Sequence, residues 1–440
     1  MAPDWIFHAI ALFGLLLVLF LTGVPIAFAF LSASAFYLAV VLGRPDQLFW
    51  VALSPYSSLS NFSLAPVFFF VLLGAILFDS GTVDIAIKAV EAWTPNIRAR
   101  LSVITNLAGA VLASLTGSGM ASATLMAKLM VPKMLQQGYS PMLAIGPSFS
   151  AGALALLIPP SGVTIILGTV AGISIGQLLI GGIIPALILA FVFSAFCVAV
   201  AYINPRLAPS EAAIPMGWGE RWRLAAATAP FGLIIFSVIG LMILGVAGPS
   251  ESAAFGAIAA FLVTAIYRRM SWTALRNAIS ETVRISIMLY TIIMGSAIFS
   301  QVIAYSGVTL GFSEAMVGAG FSPLATLLLM QGIILFLGMF LEVTTIILIT
   351  MPLFMPVVHA MGIDPLQFGV VTLVNLELGT FTPPVGLVLF AAHAALPREI
   401  SLGTVYKAAV PFFLLQLAVV LLLILSPGIV SWLPNMLRDY

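Results

Sequence analysis

Apolar runs long enough to cross a membrane fill most of this chain, and its charged residues stand almost entirely between them. A crossing helix needs about 20 largely apolar residues. Runs of that kind fall near 5–22, 24–42, 60–80, 142–172, 178–202, 224–244, 250–267, 285–304, 365–395 and 408–431. Of 440 residues, 62% are apolar and 7% charged, against about 25% charged in a soluble domain. A cytosolic enzyme, a nucleic-acid binder and a disordered scaffold are thereby excluded, and a net charge of +1 gives no field to steer an anionic polymer. The single Cys197 excludes a disulfide framework, and His8, His359 and His393 are too scattered for a His-rich metal site. The chain reads as an all-α polytopic membrane protein lodged in a lipid bilayer. Its first run lacks a basic flank and leads straight into another span, so it is expected to be retained rather than cleaved.

Two further stretches, 101–131 and 324–358, are each too long for one short helix and are interrupted at their centres. The interruptions read Ser114-Leu-Thr-Gly-Ser-Gly119 and Gly338-Met-Phe-Leu-Glu-Val-Thr-Thr345. Both are expected to be re-entrant helical hairpins, because irregular backbone at membrane depth needs protein or a water-filled cavity around it. Placing the loop 82–100 in the cytoplasm puts fourteen of the sixteen basic residues on that side, with Arg44 and Arg438 outside. The two hairpins then enter from opposite faces, and both termini are periplasmic.

The sequence is also written twice. At a constant offset of 224, Pro25, Pro132, Pro141, Pro159 and Pro160 meet Pro249, Pro356, Pro365, Pro383 and Pro384. Five of the fifteen prolines of the first half thus recur in register, where chance gives about one. Gly138 and Gly162 meet Gly362 and Gly386 at the same offset. The expected organisation is a first repeat over 1–202, with scaffold spans in 5–80, hairpin 101–131 and broken helix 142–172. A cytoplasmic linker over 203–223 follows, then a second repeat over 224–440 with scaffold 224–304, hairpin 324–358 and broken helix 365–395. Five crossings per half is odd, so the second copy is expected to be inverted, the pattern of secondary transporters with a midplane site.

Paired prolines remove amide donors and cannot continue a helix. The carbonyls before them, from Ala155 to Ile158 and from Gly379 to Thr382, are therefore expected to need other partners. A desolvated Na+ suits such oxygens, with hydroxyls from Ser114, Thr116, Ser118, Thr344 and Thr345 at the hairpin tips. The helix N-termini at the same breaks suit a carboxylate or sulfonate. Glu342, Glu377 and the neighbouring Asn375 are candidate ion ligands or proton carriers, since intramembrane carboxylates are functional candidates by default. Glu342 is also a candidate for shaping the hairpin tip. Lys128 reads as a snorkelling residue, and Asp84, Lys88 and Glu91 as the polar face of a surface helix. Arg276 and Arg284, with Trp272, Leu275 and Ile279, repeat that surface pattern in the second half.

The segments Gly23-Val-Pro-Ile-Ala-Phe28, Leu115-Thr-Gly-Ser118, Ile158-Pro-Pro-Ser161 and Gly379-Thr-Phe-Thr-Pro-Pro-Val-Gly386 carry a family resemblance over nearly the whole chain. They look like the large membrane subunit of TRAP (tripartite ATP-independent periplasmic) transporters. That resemblance implies a Na+-driven importer of small organic anions with an elevator motion. It also implies a small four-helix membrane subunit and a periplasmic substrate-binding protein as partners. Carried over by position, one Na+ falls to Ser114, Thr116, Ala155, Ile158 and Pro160. The other falls to Gly338, Gly379, Thr382 and Pro384, and the substrate lies between them near Ser118, Ser161, Thr344, Thr345 and Gly386. The chain departs from the family in reading Ala155-Leu156 before the first break, where Gly-Pro is common, and Leu115-Thr116 at the first tip, where Ile-Ser is common. A stand-alone Na+- or H+-coupled carboxylate symporter is the alternative. An enzyme is disfavoured, for no nucleotide loop or His-Glu-x-x-His motif is present.

Overall fold

The computed structural model describes residues 4–49, 60, 64–79, 83–94, 96–116, 118–159, 161–209 and 217–436, without the side chains of 78–79, 83–87, 114–116, 225, 227–228 and 231. Regular structure among them is helical throughout. Six helices are long and apolar enough to cross a membrane, and several shorter apolar ones lie among them.

Seven helices form a scaffold: α1 (Asp4–Leu21), α2 (Ile26–Phe36), α3 (Ala65–Asp79), α4 (Val83–Trp93), and in the second half α11 (Trp218–Ile235), α12 (Pro249–Ile266) and α13 (Trp272–Tyr305). Two π-helical turns, Tyr37–Val41 and Phe236–Gly240, extend α2 and α11. The inner unit begins with the first hairpin, α5 (Arg100–Thr116) and α6 (Gly119–Gln136), and the helix pair α7 (Pro141–Ala155) and α8 (Gly162–Ala171). Helices α9 (Ile175–Gly181) and α10 (Ile183–Ile203) complete that half. After α14 (Val308–Gly318) come the second hairpin, α15 (Pro323–Gly338) and α16 (Val343–Ala360), and the pair α17 (Pro365–Thr380) and α18 (Leu387–Ala395). The chain ends in α19 (Leu402–Leu425) and α20 (Gly428–Met436).

Helix ends recur at the sequence offset. Ser140 caps α7 through the Leu143 amide, and Asp364, 224 positions on, caps α17 through the Leu366 amide at 2.9 Å. Ser118 and Glu342 occupy matching cap positions of α6 and α16. Packing recurs as well. Helix α2 lies on α13 and α12 on α3, while α6 lies on α18 and α16 on α8.

Helices α7 and α17 form the centre. Every residue from Leu143 to Ala155 and from Leu366 to Thr380 is buried. Lipid offers no hydrophobic drive between helices, so close van der Waals packing by small residues holds such a centre together. A Cβ on Gly109 of α5 would lie 2.6 Å from the Cβ of Ala151 on α7, and one on Gly152 would lie 3.2 Å from the Gly119 carbonyl. Phe149 and Phe381 stack at 6.5 Å where the two central helices meet.

Three sequence expectations change. The surface helix expected around Arg276 and Arg284 is instead the first part of α13, a continuous helix of 34 residues. At 1.5 Å per residue α13 is about 51 Å long, well beyond a hydrocarbon core of about 30 Å. The first hairpin, expected to end at 131, runs on, for α6 continues through Pro132 to Gln136. The linker is shorter than expected, because Trp218 already begins α11, and its Pro215 lies outside the described residues. The side chains of Val83, Asp84 and Ile87 also lie outside them, while Lys88 and Lys128 are exposed as expected and Glu91 pairs with Lys133 at 3.9 Å.

Candidate functional site

The first helix break follows from Pro159 and its successor. Removal of the amide four residues ahead orphans the Leu156 carbonyl. The Thr164 hydroxyl, on α8 beyond the break, donates to it at 2.6 Å, and Ser161 caps α8 by accepting from the Thr164 amide at 3.3 Å. The break is therefore closed by the chain's own hydroxyls. Replacing Thr164 with valine removes the donor while keeping the shape, and is expected to cost about 1–3 kcal/mol of stability. Thr164→Ser is expected to retain most of it. Thermal unfolding of the two variants in choline chloride checks this.

At the second break, the Thr382 hydroxyl donates to the Leu378 carbonyl at 2.6 Å and the Thr382 amide to the Gly379 carbonyl at 3.0 Å. The Pro384 carbonyl accepts from the Tyr406 hydroxyl of α19 at 2.9 Å, a partner invisible to a sequence reading because it lies 22 residues away. The chain then turns through Gly386, whose φ of 65° is left-handed and suits glycine. The Gly386 amide donates to the Met339 carbonyl at the second hairpin tip at 3.3 Å, tying tip to break. Gly338 lies backbone to backbone on Gly379: a Cβ on Gly338 would sit 2.7 Å from the Gly379 Cα.

Around these breaks lies a cavity of about 650 Å³. Both hairpins reach it through Ser118, Gly119, Glu342 and Thr344, and both broken helices through Leu156, Gly162, Glu377, Thr380 and Leu387. The scaffold closes it with Phe70 and Gly74 of α3 and Glu281 and Met288 of α13. A second cavity of about 580 Å³ shares Glu342, Met288 and Ile292 with the first and adds Thr345 and the Gly23–Phe28 turn. The volume falls within the roughly 300–1,000 Å³ of small-molecule sites.

The expected site residues thus divide. Ser118, Thr344 and Glu377 line the main cavity, and Thr345 the second one, where its buried hydroxyl oxygen has no hydrogen-bond partner among the described residues. Gly338, Gly379 and Thr382 come together at the second tip, whereas Ser161 and Gly386 sit one residue behind the cavity wall formed by Gly162 and Leu387. Asn375 is anchored through its side-chain nitrogen. Its side-chain amide donates to both oxygens of Gln331 on α15, the main-chain one at 2.7 Å and the side-chain one at 2.9 Å. Glu342 caps α16, accepting from the amides of Thr344 at 2.9 Å and Thr345 at 3.3 Å and from the Thr344 hydroxyl at 3.1 Å, so it shapes the tip. Ala155 is fully buried at the end of α7, and Ile158 is half-buried in the break. Pro160 and the side chains of Ser114 and Thr116 lie outside the described residues. Thr380 and Glu281 were missed: Thr380 donates to Glu377, and Glu281 was hidden among the arginines that read as a surface face.

Two hairpins and two broken helices meeting on one cavity is the arrangement of a carrier, and the family model for the DctM component of the tripartite ATP-independent periplasmic transporter matches residues 13–429. The chain belongs to the DctM family. It is 31% identical to the C4-dicarboxylate TRAP transporter large permease protein DctM of Rhodobacter capsulatus, covering 98% of this chain and 99% of that one. It is 30% identical to the protein of the same name from Pseudomonas aeruginosa, over 91% of this chain and 92% of the relative. Relatives named for isethionate, sialic acid and ectoine also match, at 27%, 26% and 28% identity. Among solved structures, the YdaH transporter of Alcanivorax borkumensis is similar in fold, with a TM-score of 0.64 at 16% identity over 87% of this chain and 89% of that one. The chain is therefore a multi-pass membrane permease of a tripartite organic-acid transporter and not an enzyme.

Proposed function

We propose that this DctM protein is the large membrane subunit of a Na+-driven importer. It takes a small organic acid from a periplasmic binding protein and carries it across the bacterial or archaeal cytoplasmic membrane, with both of its own termini periplasmic. The observation that carries the reading is the main cavity, walled at once by both hairpin tips, both helix breaks and the scaffold. Recurrence of helix ends at the 224 offset, with contacts exchanged between the halves, supports two inverted repeats about that cavity. An odd number of crossings per half supplies the inversion.

One Na+ binds where Gly338 meets Gly379 and Thr382, and the other at the first tip and break, near Ser114, Thr116, Ala155 and Ile158. Main-chain carbonyls and hydroxyls at those points are hard oxygen ligands with spare lone pairs. The hairpins and broken helices slide as one unit against α2, α3, α12 and α13, which carry no such breaks. A small four-helix membrane subunit braces the scaffold. The isethionate relative, named TRAP transporter permease protein DctMQ, is longer, and the match covers 66% of it.

Thermal unfolding in NaCl, KCl and choline chloride at equal ionic strength tests the coupling. A ligand at about 100 times its dissociation constant stabilises the folded state by about 2.7 kcal/mol. The expected result is a rise in the midpoint specific to Na+ and reduced by Thr382→Ala. Identical midpoints in all three salts would contradict it.

A further inference from the structure

One continuous helix bridges the second break. Helix α19 runs from Leu402 to Leu425 and lies against α17, α18 and α7. On the α17 side, the buried Gln416 amide donates to the Val374 carbonyl at 2.8 Å, and the buried Gln367 amide to the Leu423 and Ile424 carbonyls at 3.0 and 2.9 Å. In the break itself, the Tyr406 hydroxyl donates to two successive carbonyls, Pro384 at 2.9 Å and Val385 at 3.1 Å. After α18, His393 Nε2 lies 2.9 Å from the carbonyl of Ile400, two residues before α19 begins. Helix α19 thus holds main chain on both sides of the break, as a splint does.

The first half is closed differently. Its turn Ile173-Ser-Ile-Gly176 aligns with Ile400-Ser-Leu-Gly403 at an offset of 227, and Ser174 and Ser401 cap α9 and α19 alike. Tyr406 then corresponds to Leu179, which has no donor, and α9 stops at Gly181 instead of running on. The donor to the first break is Thr164 of the broken helix itself, and its counterpart at offset 224 is Val388, whose side chain donates nothing. The first break is therefore closed from within, and the second depends on the next helix.

Pro383 and Pro384 carry no amide, so no helical ladder fixes the segment between α17 and α18. One phenolic hydrogen shared by two carbonyls sets its direction and leaves both oxygens spare lone pairs. Directly after them stands Gly386, whose amide reaches the Met339 carbonyl at the hairpin tip. We infer that Tyr406 is the positioning residue of the second break: by holding Pro384 and Val385 to α19, it keeps tip and break together and sets the Na+ affinity of the site where Gly338 meets Gly379 and Thr382. This rests on the Na+ reading above. The tyrosine acts through the main chain.

The test uses the full chain, with the unfolding midpoint followed against NaCl concentration at an ionic strength held constant with choline chloride. Tyr406→Phe removes the hydroxyl and keeps the ring, which stands edge-on to Phe390 at 6.5 Å. It is expected to raise the half-saturating Na+ concentration roughly tenfold. In a Thr382→Ala background the same change is expected to add less than about twofold, because both residues act on one site. Hydrogen exchange at the Gly386 amide in choline chloride is a Na+-free readout, and Tyr406→Phe is expected to speed it while the amides of α17 stay protected. A lower midpoint in choline chloride with an unchanged half-saturating Na+ concentration would make Tyr406 merely structural and overturn the inference, as would full additivity with Thr382→Ala. A wild-type protein with no Na+ shift contradicts the Na+ reading; the splint then stands if Gly386 exchange quickens in Tyr406→Phe and falls if it does not.

Discussion

Alanine at Gly379 is expected to lower the unfolding midpoint by several degrees and to abolish the Na+-specific part of the stability. On α17 the new Cβ would lie 2.7 Å from the Gly338 Cα and 3.3 Å from the Leu335 carbonyl. Both neighbours are main chain, so no side chain can swing aside. Helices α15 and α17 must separate, and overpacking of this kind costs about 1–3 kcal/mol, sometimes more. Separation also pulls the second hairpin tip away from the break, where the Gly386 amide reaches the Met339 carbonyl. Gly338→Ala meets the same contact from the other side and is expected to behave alike. The first-half counterparts are Ser114 and Ala155, so two facing glycines are peculiar to the second half. Midpoints in NaCl and KCl decide the matter, and a Gly379→Ala protein with both the wild-type midpoint and the wild-type Na+ shift would refute the close-approach argument.

The second large effect is expected at Asn375. Its amide donates to two oxygens of Gln331, whose own amide donates to the Thr372 hydroxyl at 2.9 Å. All three residues are buried. Asn375→Leu strands the buried Gln331 side-chain oxygen, and a buried polar group left unmatched costs about 1–3 kcal/mol. The double variant Asn375→Leu with Gln331→Leu removes the stranded side chain and is expected to be less destabilised than the sum of the singles, by at least about 0.5 kcal/mol of coupling. Additive singles would mean that the ladder is not a unit. In the first half the corresponding interface is held by a different pair, Ser150 of α7 donating to Asn106 of α5. The two halves share helix ends but not this chemistry.

That contrast marks how much the sequence reveals. Helix ends were legible because prolines and caps act locally: Pro141 and Pro365 open helices in register, and Ser118 and Glu342 occupy matching caps. Glu377 was legible as a buried acid because it stands alone in an apolar run. What satisfies each polar group was not. Thr164 reaches the Leu156 carbonyl across eight residues, Tyr406 the Pro384 carbonyl across 22, and Asn375 the Gln331 oxygens across 44. No local pattern encodes such pairings. Asn375 therefore read only as an oxygen ligand, with no sign that its side-chain nitrogen ties α17 to α15, and the carbonyls of the first break read as orphans when one of them already has a hydroxyl. Glu281 was obscured for a different reason. Its stretch carries Arg276 and Arg284 at helical spacing, which matches a surface helix, yet α13 runs on unbroken and turns Glu281 toward the cavity.

The proposed transport couples organic-acid movement through this cavity to a Na+ gradient. Its most direct measurement is uptake into proteoliposomes holding this protein with its small membrane subunit and binding protein, under an imposed inward Na+ gradient and then with that gradient collapsed. The expected result is concentrative uptake that stops when the Na+ gradient is removed and is not restored by a pH gradient. Uptake that persists without Na+ and follows the pH gradient would contradict it.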